Sequence, residues 1–108
     1  MNTQYKKGVL ELCVLSLLHK RDCYGYEISV FLSQHIDIAD GTVYPILRKL
    51  KSDGLLTTYL QEESGGPPRK YYKLTELGQE TYQNDRAEYL NFAQSVRNLL
   101  EDAYNEEA

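Results

Sequence analysis

The sequence predicts a mainly α fold with a small two-stranded β wing, an α+β arrangement, followed by a long C-terminal helix. Apolar residues recur at helical spacing in Val43–Leu50, Gly54 ends that stretch, and two short runs of strand-like composition follow. A second helical pattern fills the last third of the chain. We therefore expect residues 1–74 to form a winged helix-turn-helix domain and residues 75–108 to form a dimerisation helix.

The first helix is predicted from Gly8 to Lys20, where apolar residues occupy most positions. A helix that is apolar nearly all round must be covered on more than one side. In a chain this short, we expect a partner subunit to supply part of that cover.

The second helix is predicted from Tyr24 to about Gln34, with Tyr24 packing at its entry. Its core residues are Ile28, Phe31 and Leu32. A short connection leads to the third helix, which has basic residues on its outer face. Two helices at this spacing are typical of a helix-turn-helix.

The third helix has one apolar stripe at the spacing i, i+3, i+4 and i+7. The members of the stripe are Val43, Ile46, Leu47 and Leu50. We predict a start at Gly41 or Thr42, because an N-cap at Thr42 leaves Pro45 within the first turn, where a missing N–H costs little. Free N–H groups at this end could hold a phosphate.

The wing is predicted from the runs Leu56–Gln61 and Lys70–Leu74, joined by a segment that contains Gly-Gly-Pro-Pro. Such a tip is small and stiff enough to enter or straddle a minor groove. Tyr71 and Tyr72 alternate between the faces of a strand, so we expect one in the core and the other exposed. Which of the two is exposed stays open at this point.

The last helix is predicted from a cap at Thr75 to about Tyr104. A heptad seam with alternating spacings of four and three residues runs along it. The members of the seam are Tyr89, Ala93, Val96, Leu100 and Ala103. Because the other predicted helices are much shorter, we expect two copies of this helix to pair in a homodimer. The alternative is a helix that folds back on its own domain.

Positive charge is concentrated in the third helix and the wing, although the chain has a formal net charge of −4. Residues 41–74 hold six Lys or Arg against three acids, whereas residues 75–108 hold two against eight. Attraction to phosphate depends on charge within a Debye length of about 8–10 Å. The charge distribution therefore predicts that the third helix and the wing bind double-stranded DNA. The remaining, acidic surface is expected not to contact the DNA.

The predicted DNA contacts share an exposed polar position on the helix or the wing. They are Thr42, Tyr44, Arg48, Lys49, Lys51, Arg69 and Lys70. Arg48 lies most directly opposite the apolar stripe, and its fork can hold guanine O6 and N7. Lys49 and Lys51, on opposite flanks, suit phosphates. Two alternatives remain: basic side chains that are only solvated, and a Tyr44 that packs against the second helix.

Several other classes of function find little support. We expect no enzyme, catalytic residue or cofactor, because the sequence has no paired carboxylates, Ser/His/Asp or Cys/His set or glycine-rich phosphate loop. His19 and Cys23 lack further ligands at metal-binding spacing, so no metal is expected. Cys13 is predicted to be a buried reduced thiol, with a redox pair of Cys13 and Cys23 as the alternative.

We find neither a signal peptide nor an apolar run of about 20 residues, which predicts a cytoplasmic protein with no membrane partner. The alternative to DNA binding is a winged-helix module that binds other proteins.

Four segments resemble the PadR-like transcriptional regulators, in the same order along the chain. They are Tyr24–Ile28, Gly41–Leu50, Gly54-Leu55 and Arg69–Gly78. The single C-terminal helix is similar to the smaller subgroup of that family. The resemblance implies a dimeric winged-helix repressor that binds a palindromic operator.

The resemblance also implies a site for an effector. Some small members of the family bind planar aromatic or cationic compounds in a cavity at the dimer interface, between the first and last helices. By that likeness, the residues expected to line such a cavity are Tyr5, Tyr89, Phe92 and Val96. Tyr89 stands where a drug-binding member has a tryptophan. Plain dimer packing of the same side chains is the alternative.

Overall fold

The computed structural model describes residues 3–39, 41–62 and 65–106 of the chain, with side chains between residues 7 and 103 of that part. The described residues form four helices and three strands. Their order is α1 (Thr3–Lys20), β1 (Cys23–Tyr24), α2 (Gly25–Ser33), α3 (Val43–Ser52), β2 (Leu56–Gln61), β3 (Arg69–Leu74) and α4 (Glu76–Glu106).

The hydrophobic core is built around α1. This helix contributes the buried residues Leu10, Val14, Leu15, Leu17 and Leu18. Buried positions therefore wrap around much of the helix, which confirms that α1 is covered on more than one side. The core is completed by Cys23, Ile28, Leu32, Val43, Ile46, Leu47, Leu50, Leu56, Leu74 and Tyr82.

α3 begins at Val43 with Thr42 as its N-cap, so Pro45 is the third helical residue and lies in the first turn. This start agrees with the prediction. The predicted apolar stripe is buried, with each member 3% exposed or less. The helix ends at Ser52, and Gly54 has a φ of 80°, a left-handed conformation that favours glycine.

The wing belongs to a three-stranded antiparallel sheet in the order β1-β3-β2. The predicted two-stranded wing is present as β2 and β3, with β3 beginning at Arg69 instead of Lys70. The additional strand, β1, pairs with Tyr71 and Tyr72. It is two residues long, so it lacks the longer alternation by which a strand is recognised in a sequence.

The prediction that either Tyr71 or Tyr72 is exposed was wrong, because both are half-buried. Tyr72 packs against the core, on the face of the wing that we call the inner face. Tyr71 lies on the opposite, outer face, where its ring stacks on Tyr59 with centroids 5.6 Å apart. The ring of Tyr24 meets Tyr71 edge-on at 5.5 Å. The Tyr24 ring from the additional strand β1 thus covers part of a side chain that a two-stranded wing would leave more exposed.

The first turns of α4 pack against the core, and the rest of the helix extends beyond it. The predicted cap is confirmed, since the Gly78 N–H donates to Oγ1 of Thr75 over 3.0 Å. Tyr82 is buried against α1, and its hydroxyl donates to Oγ of Ser16 over 3.3 Å. Further along, Leu100 is 67% exposed. The longest dimension of the molecule is 63 Å.

Both cysteines are free thiols; Cys23 is fully buried, whereas Cys13 is only half-buried. Burial raises the pKa of each thiol above its ordinary value, which disfavours the reactive thiolate. In the described ranges, no three His, Cys, Asp or Glu side chains group as metal ligands would. None of the helices described is both long enough and apolar enough to span a membrane.

Candidate nucleic-acid interface

α3 presents its polar side chains opposite the buried stripe. Tyr44, Arg48 and Lys51 are exposed, and Thr42 is half-buried at the start of the helix. The Tyr44 ring also lies against Gly25 of α2, because a Cβ at Gly25 would be 2.9 Å from Cε1 of Tyr44. Tyr44 therefore packs against the second helix and is exposed to solvent at the same time, which joins the two interpretations made from sequence.

The inner face of the wing continues the outer surface of α3. The Lys51 Nζ donates to Oγ1 of Thr58 on β2 over 3.2 Å. Burial raises the pKa of the Tyr72 phenol on β3, and the positive charge of nearby Arg48 partly offsets that rise. Two side chains of α3 thus lie close to the inner face, so helix and wing form one continuous surface.

Strand alternation places the two basic residues of β3 on different faces of the wing. Lys70 is opposite Leu60 in the register and lies on the inner face, with its Nζ 5.7 Å from the centroid of the Tyr72 ring. Arg69 lies on the outer face, with its guanidinium 4.5 Å from the centroid of the Tyr24 ring. Of the predicted pair, Lys70 therefore shares a face with α3, whereas Arg69 lies over Tyr24 on the opposite face.

Lys49 lies on the other flank of α3, away from the wing. Its Nζ is 2.9 Å from Oδ2 of Asp53 and 3.5 Å from Oε1 of Glu11 on α1. The hydrogen bond to Asp53 is the main cause that raises the pKa of Lys49 above its ordinary value. A phosphate contact by Lys49 would therefore compete with two carboxylates. Sequence spacing placed Lys49 and Lys51 symmetrically, but only the fold shows that Glu11 lies beside Lys49.

A cleft of about 670 Å³ separates the start of α3 from the wing. We call it the aromatic cleft, and its lining residues are Tyr24, Gly25, Tyr26, Tyr44, Arg69, Lys70 and Tyr72. Three of these residues were among the predicted DNA contacts: Tyr44, Arg69 and Lys70. The fold adds tyrosines from the start of α2 and from β3 to them.

The contribution of Tyr26 to this cleft was missed by sequence reasoning. Tyr26 is 66% exposed on the first turn of α2. The sequence did carry a signal, since a large aromatic residue next to Gly25 falls outside the apolar stripe of the second helix. That signal is weak on its own, because the proximity of the wing cannot be read from the residues of α2.

The residues predicted to bind an effector are only partly brought together. Tyr89 and Phe92 line a groove of about 560 Å³ between α1, the end of α3 and α4. Val96 is absent from the lining of that groove and lies further along α4. The side chain of Tyr5 falls outside the described part of the chain. The groove also contains Lys49 and four acids: Glu11, Asp53, Asp85 and Glu88.

The predicted dimer seam follows one face of α4. Tyr89, Ala93 and Val96 are half-buried, whereas Leu100 and Ala103 are exposed. Neighbouring apolar side chains are exposed as well, with Phe92 at 60%, Leu99 at 70% and Leu90 at 46%. The outer half of α4 thus carries a long apolar strip that the described part of the chain leaves uncovered.

Comparisons with known proteins agree with this architecture. The family model described as "Transcriptional regulator PadR-like family" matches residues 14–84. A PadR-like transcriptional regulator from Bacillus cereus is similar, with 35% identity, a TM-score of 0.82, and coverage of 91% of this chain and 97% of that one. A Streptococcus transcriptional regulator has 33% identity, a TM-score of 0.82, and coverage of 91% and 98%. A transcriptional regulator of Mycobacterium tuberculosis is 28% identical over 86% of this chain and 87% of its own.

Proposed function

We propose, on the premise that this chain belongs to the PadR-like family of transcriptional regulators, that it binds double-stranded DNA as a homodimer and represses transcription from a palindromic operator. Residues 1–74 would bind the DNA and residues 75–108 would hold the dimer together.

The observation that carries this proposal is the continuous basic surface formed by α3 and the inner face of the wing. Arg48 and Lys51 from α3 and Lys70 from β3 contribute three cations to it. Residues 75–108, by contrast, hold eight acids against two basic residues. A long anionic partner such as DNA is attracted to the first surface and repelled by the second.

Each side chain on this surface suits a specific part of DNA. Arg48 faces most directly outward from α3 and has the bidentate geometry that reads guanine in the major groove. Lys51 and Lys70 supply phosphate contacts, which position the protein without reading sequence. Thr42 and Tyr44 at the start of α3 supply neutral hydrogen-bond donors. Lys49 and Arg69 contribute less in this arrangement, because Lys49 is paired with acids and Arg69 lies on the outer face.

The uncovered apolar strip on α4 supports the homodimer. A second copy would cover Leu99 and Leu100, which are 70% and 67% exposed in the single chain. Twofold pairing would present two copies of α3 to successive turns of one face of DNA, about 34 Å apart. A palindromic operator follows from that symmetry.

The groove beside α4 supports a planar, cationic effector. It combines the aromatic side chains Tyr89 and Phe92 with four carboxylates and one lysine. Aromatic faces attract organic cations, and an excess of carboxylates strengthens that preference. An effector bound there would lie between α1, α3 and α4, and would release the operator by changing how the paired α4 helices hold the two copies of α3.

Selection from a random-sequence duplex library by the full-length chain tests the proposed function. We expect enrichment of a palindrome, and an affinity for it that falls about 10³-fold between about 50 and 200 mM salt, because a dimer with three cations per subunit releases about six counterions. Arg48→Lys keeps the positive charge but lacks the planar guanidinium that can donate two parallel hydrogen bonds to guanine. It should therefore keep the affinity for a scrambled duplex and lose about tenfold or more on the selected one.

Planar cations and phenolic acids are then added to the same titration. Weakened DNA binding by a planar cation supports the effector site, whereas unchanged binding with every compound favours plain dimer packing. No enriched duplex and no salt-dependent DNA binding would contradict the whole proposal, and a module that binds other proteins would replace it. An unchanged preference in Arg48→Lys would overturn only the assignment of Arg48 to base reading.

A further inference from the structure

The position of the aromatic cleft has a consequence for the path of DNA. In a double helix, a major groove and the adjacent minor groove are separated by one sugar–phosphate strand. If α3 occupies the major groove and the wing tip reaches the minor groove, that strand must cross the space between them. The aromatic cleft is this space, because Tyr44 of α3 lines one side and Lys70 of the wing lines the other.

We propose that the aromatic cleft seats the sugar–phosphate strand between the two grooves, and that Tyr26 donates a hydrogen bond from its hydroxyl to one phosphate of that strand. This inference rests on the proposed DNA-binding function. It adds α2 and β1 to an interface that the sequence assigned only to α3 and the wing.

The chemistry of the cleft fits a sugar–phosphate strand. Its lining contains four tyrosines and two cations, and neither an aspartate nor a glutamate. Phenol hydroxyls and the Lys70 ammonium donate to phosphate oxygens, while aromatic faces pack against the apolar sides of the sugars. Tyr26 and Tyr44 remain 66% and 41% exposed, so both are accessible to a partner that enters the cleft.

The shape of the cleft is fixed by close contacts at its rear. A Cβ at Gly25 would be 2.9 Å from the Tyr44 ring, so glycine at this position lets the Tyr44 side chain pack directly on the start of α2. The Tyr24 ring is held between the Arg69 guanidinium at 4.5 Å and the edge of Tyr71 at 5.5 Å. The cleft is thus already formed in the single chain, and these contacts hold the side chains that line it.

Tyr26→Phe tests this inference on the duplex that the wild-type protein selects. We expect this variant to bind about 100-fold more weakly, because each subunit of the proposed dimer loses one hydrogen bond to a charged group, worth about tenfold. The slope of log affinity against log salt should stay unchanged, because a hydroxyl carries no charge and releases no counterion. Circular dichroism and urea unfolding should match those of wild type, since the side chain is largely exposed.

A methylphosphonate scan locates the contact. Each phosphate of the duplex is replaced in turn by a neutral methylphosphonate, and the loss of affinity is measured for both proteins. Wild type should lose affinity at a phosphate on the border between the α3 half-site and the adjacent minor groove. Tyr26→Phe should show a much smaller loss at that phosphate and the wild-type loss elsewhere.

Tyr59→Phe is the matched control. The Tyr59 hydroxyl donates to Oδ2 of Asp22 over 2.7 Å, on the outer face and outside the cleft lining. The Tyr59→Phe variant should show the wild-type affinity and the wild-type methylphosphonate profile. Wild-type affinity in Tyr26→Phe, or an unchanged methylphosphonate profile, would overturn the inference and leave the proposed function standing. Failure of the wild-type protein to select any duplex would instead remove the proposed function, and this inference with it.

Discussion

Lys49 and Lys51, two residues apart on α3, occupy opposite electrostatic environments. Lys49 Nζ lies 2.9 Å from Asp53 and 3.5 Å from Glu11, whereas Lys51 Nζ donates to the neutral hydroxyl of Thr58 over 3.2 Å. The positive charge of Lys49 is thus largely compensated within the protein. Lys51 keeps its charge available to a phosphate. Formal charge along a sequence therefore overstates the number of cations that DNA meets.

This difference predicts different salt dependences for three alanine variants. Lys51→Ala and Lys70→Ala should each lower the slope of log affinity against log salt by about 1.8, because each would remove two cations from the proposed dimer. Both should weaken binding to selected and scrambled duplexes alike. Lys49→Ala should lower the slope by clearly less.

Fluorescence anisotropy titrations over a range of salt concentrations would measure these slopes. Equal slopes for Lys49→Ala and Lys51→Ala would show that the ion pairs of Lys49 open when DNA binds, contrary to the environment described above.

At the scale of elements, the first turn of α4 is tied to the turn between α3 and β2. The Thr75 N–H donates to the Leu55 carbonyl over 3.0 Å, and its Oγ1 donates to the Gly54 carbonyl over 2.7 Å. Gly78 is buried directly against that same carbonyl of Leu55. The end of α3, the start of the wing and the start of α4 therefore meet at one point.

Gly78→Ala should lower the free energy of unfolding by about 2 kcal/mol. The added methyl group would overlap the Leu55 carbonyl, and such overpacking outweighs the helical preference of alanine. Urea unfolding at a fixed protein concentration, followed by circular dichroism, measures the change.

Gly66→Ala is the control for this substitution, because nothing lies within 4 Å of a Cβ at Gly66. Its unfolding free energy should stay within about 0.5 kcal/mol of wild type. A Gly78→Ala protein as stable as that control would show that α4 can shift at its start.

Local signals were sufficient to predict the elements that are defined by their own residues. Thr42, Pro45 and Gly54 mark the ends of α3, and Thr75 caps α4, because caps and turns depend on neighbours a few positions away. β1 could not be predicted in the same way. Its two residues form a strand only because Tyr71 and Tyr72, nearly fifty positions later, supply the hydrogen-bonding partners.

The same limit applies to the candidate site. The outward face of α3 follows from helical period, so Arg48 and Lys51 were placed correctly on the surface from sequence alone. The ion pair of Lys49 with Glu11 and the approach of Tyr26 to the wing both join residues from distant segments. Such contacts require the fold.

At the scale of the whole molecule, basic and apolar surfaces are separated along its length of 63 Å. The basic surface lies on α3 and the wing, and the uncovered apolar strip lies on the outer half of α4. An exposed strip of leucines in water favours association with a complementary surface. A second copy of α4 offers that surface with matching length and heptad spacing.

If the chain forms the proposed homodimer, Leu100→Glu should give monomers and weaken binding to the selected duplex, because it places a charge in the predicted seam. Asn91→Glu adds the same charge on the opposite side of the helix and should remain dimeric. Sedimentation velocity distinguishes a single chain of 12.5 kDa from a pair. Wild-type protein that sediments as a single chain at concentrations where it binds DNA would contradict the homodimer.

For the proposed homodimer, the junction of α3, β2 and α4 around the Leu55 carbonyl would separate two determinants of operator choice: the spacing between half-sites and the base sequence of each half-site. Thr75 is hydrogen-bonded to the Leu55 carbonyl and Gly78 is packed directly against it. These contacts couple the orientation of α4 to the orientation of α3. In a dimer, the crossing angle of the two α4 helices would then set the number of base pairs between half-sites. The base sequence of each half-site would be recognised by α3. Among descendants of this chain, substitutions on α4 would change the preferred spacing between half-sites. Substitutions on α3 would change the preferred base sequence, so the two preferences could diverge independently.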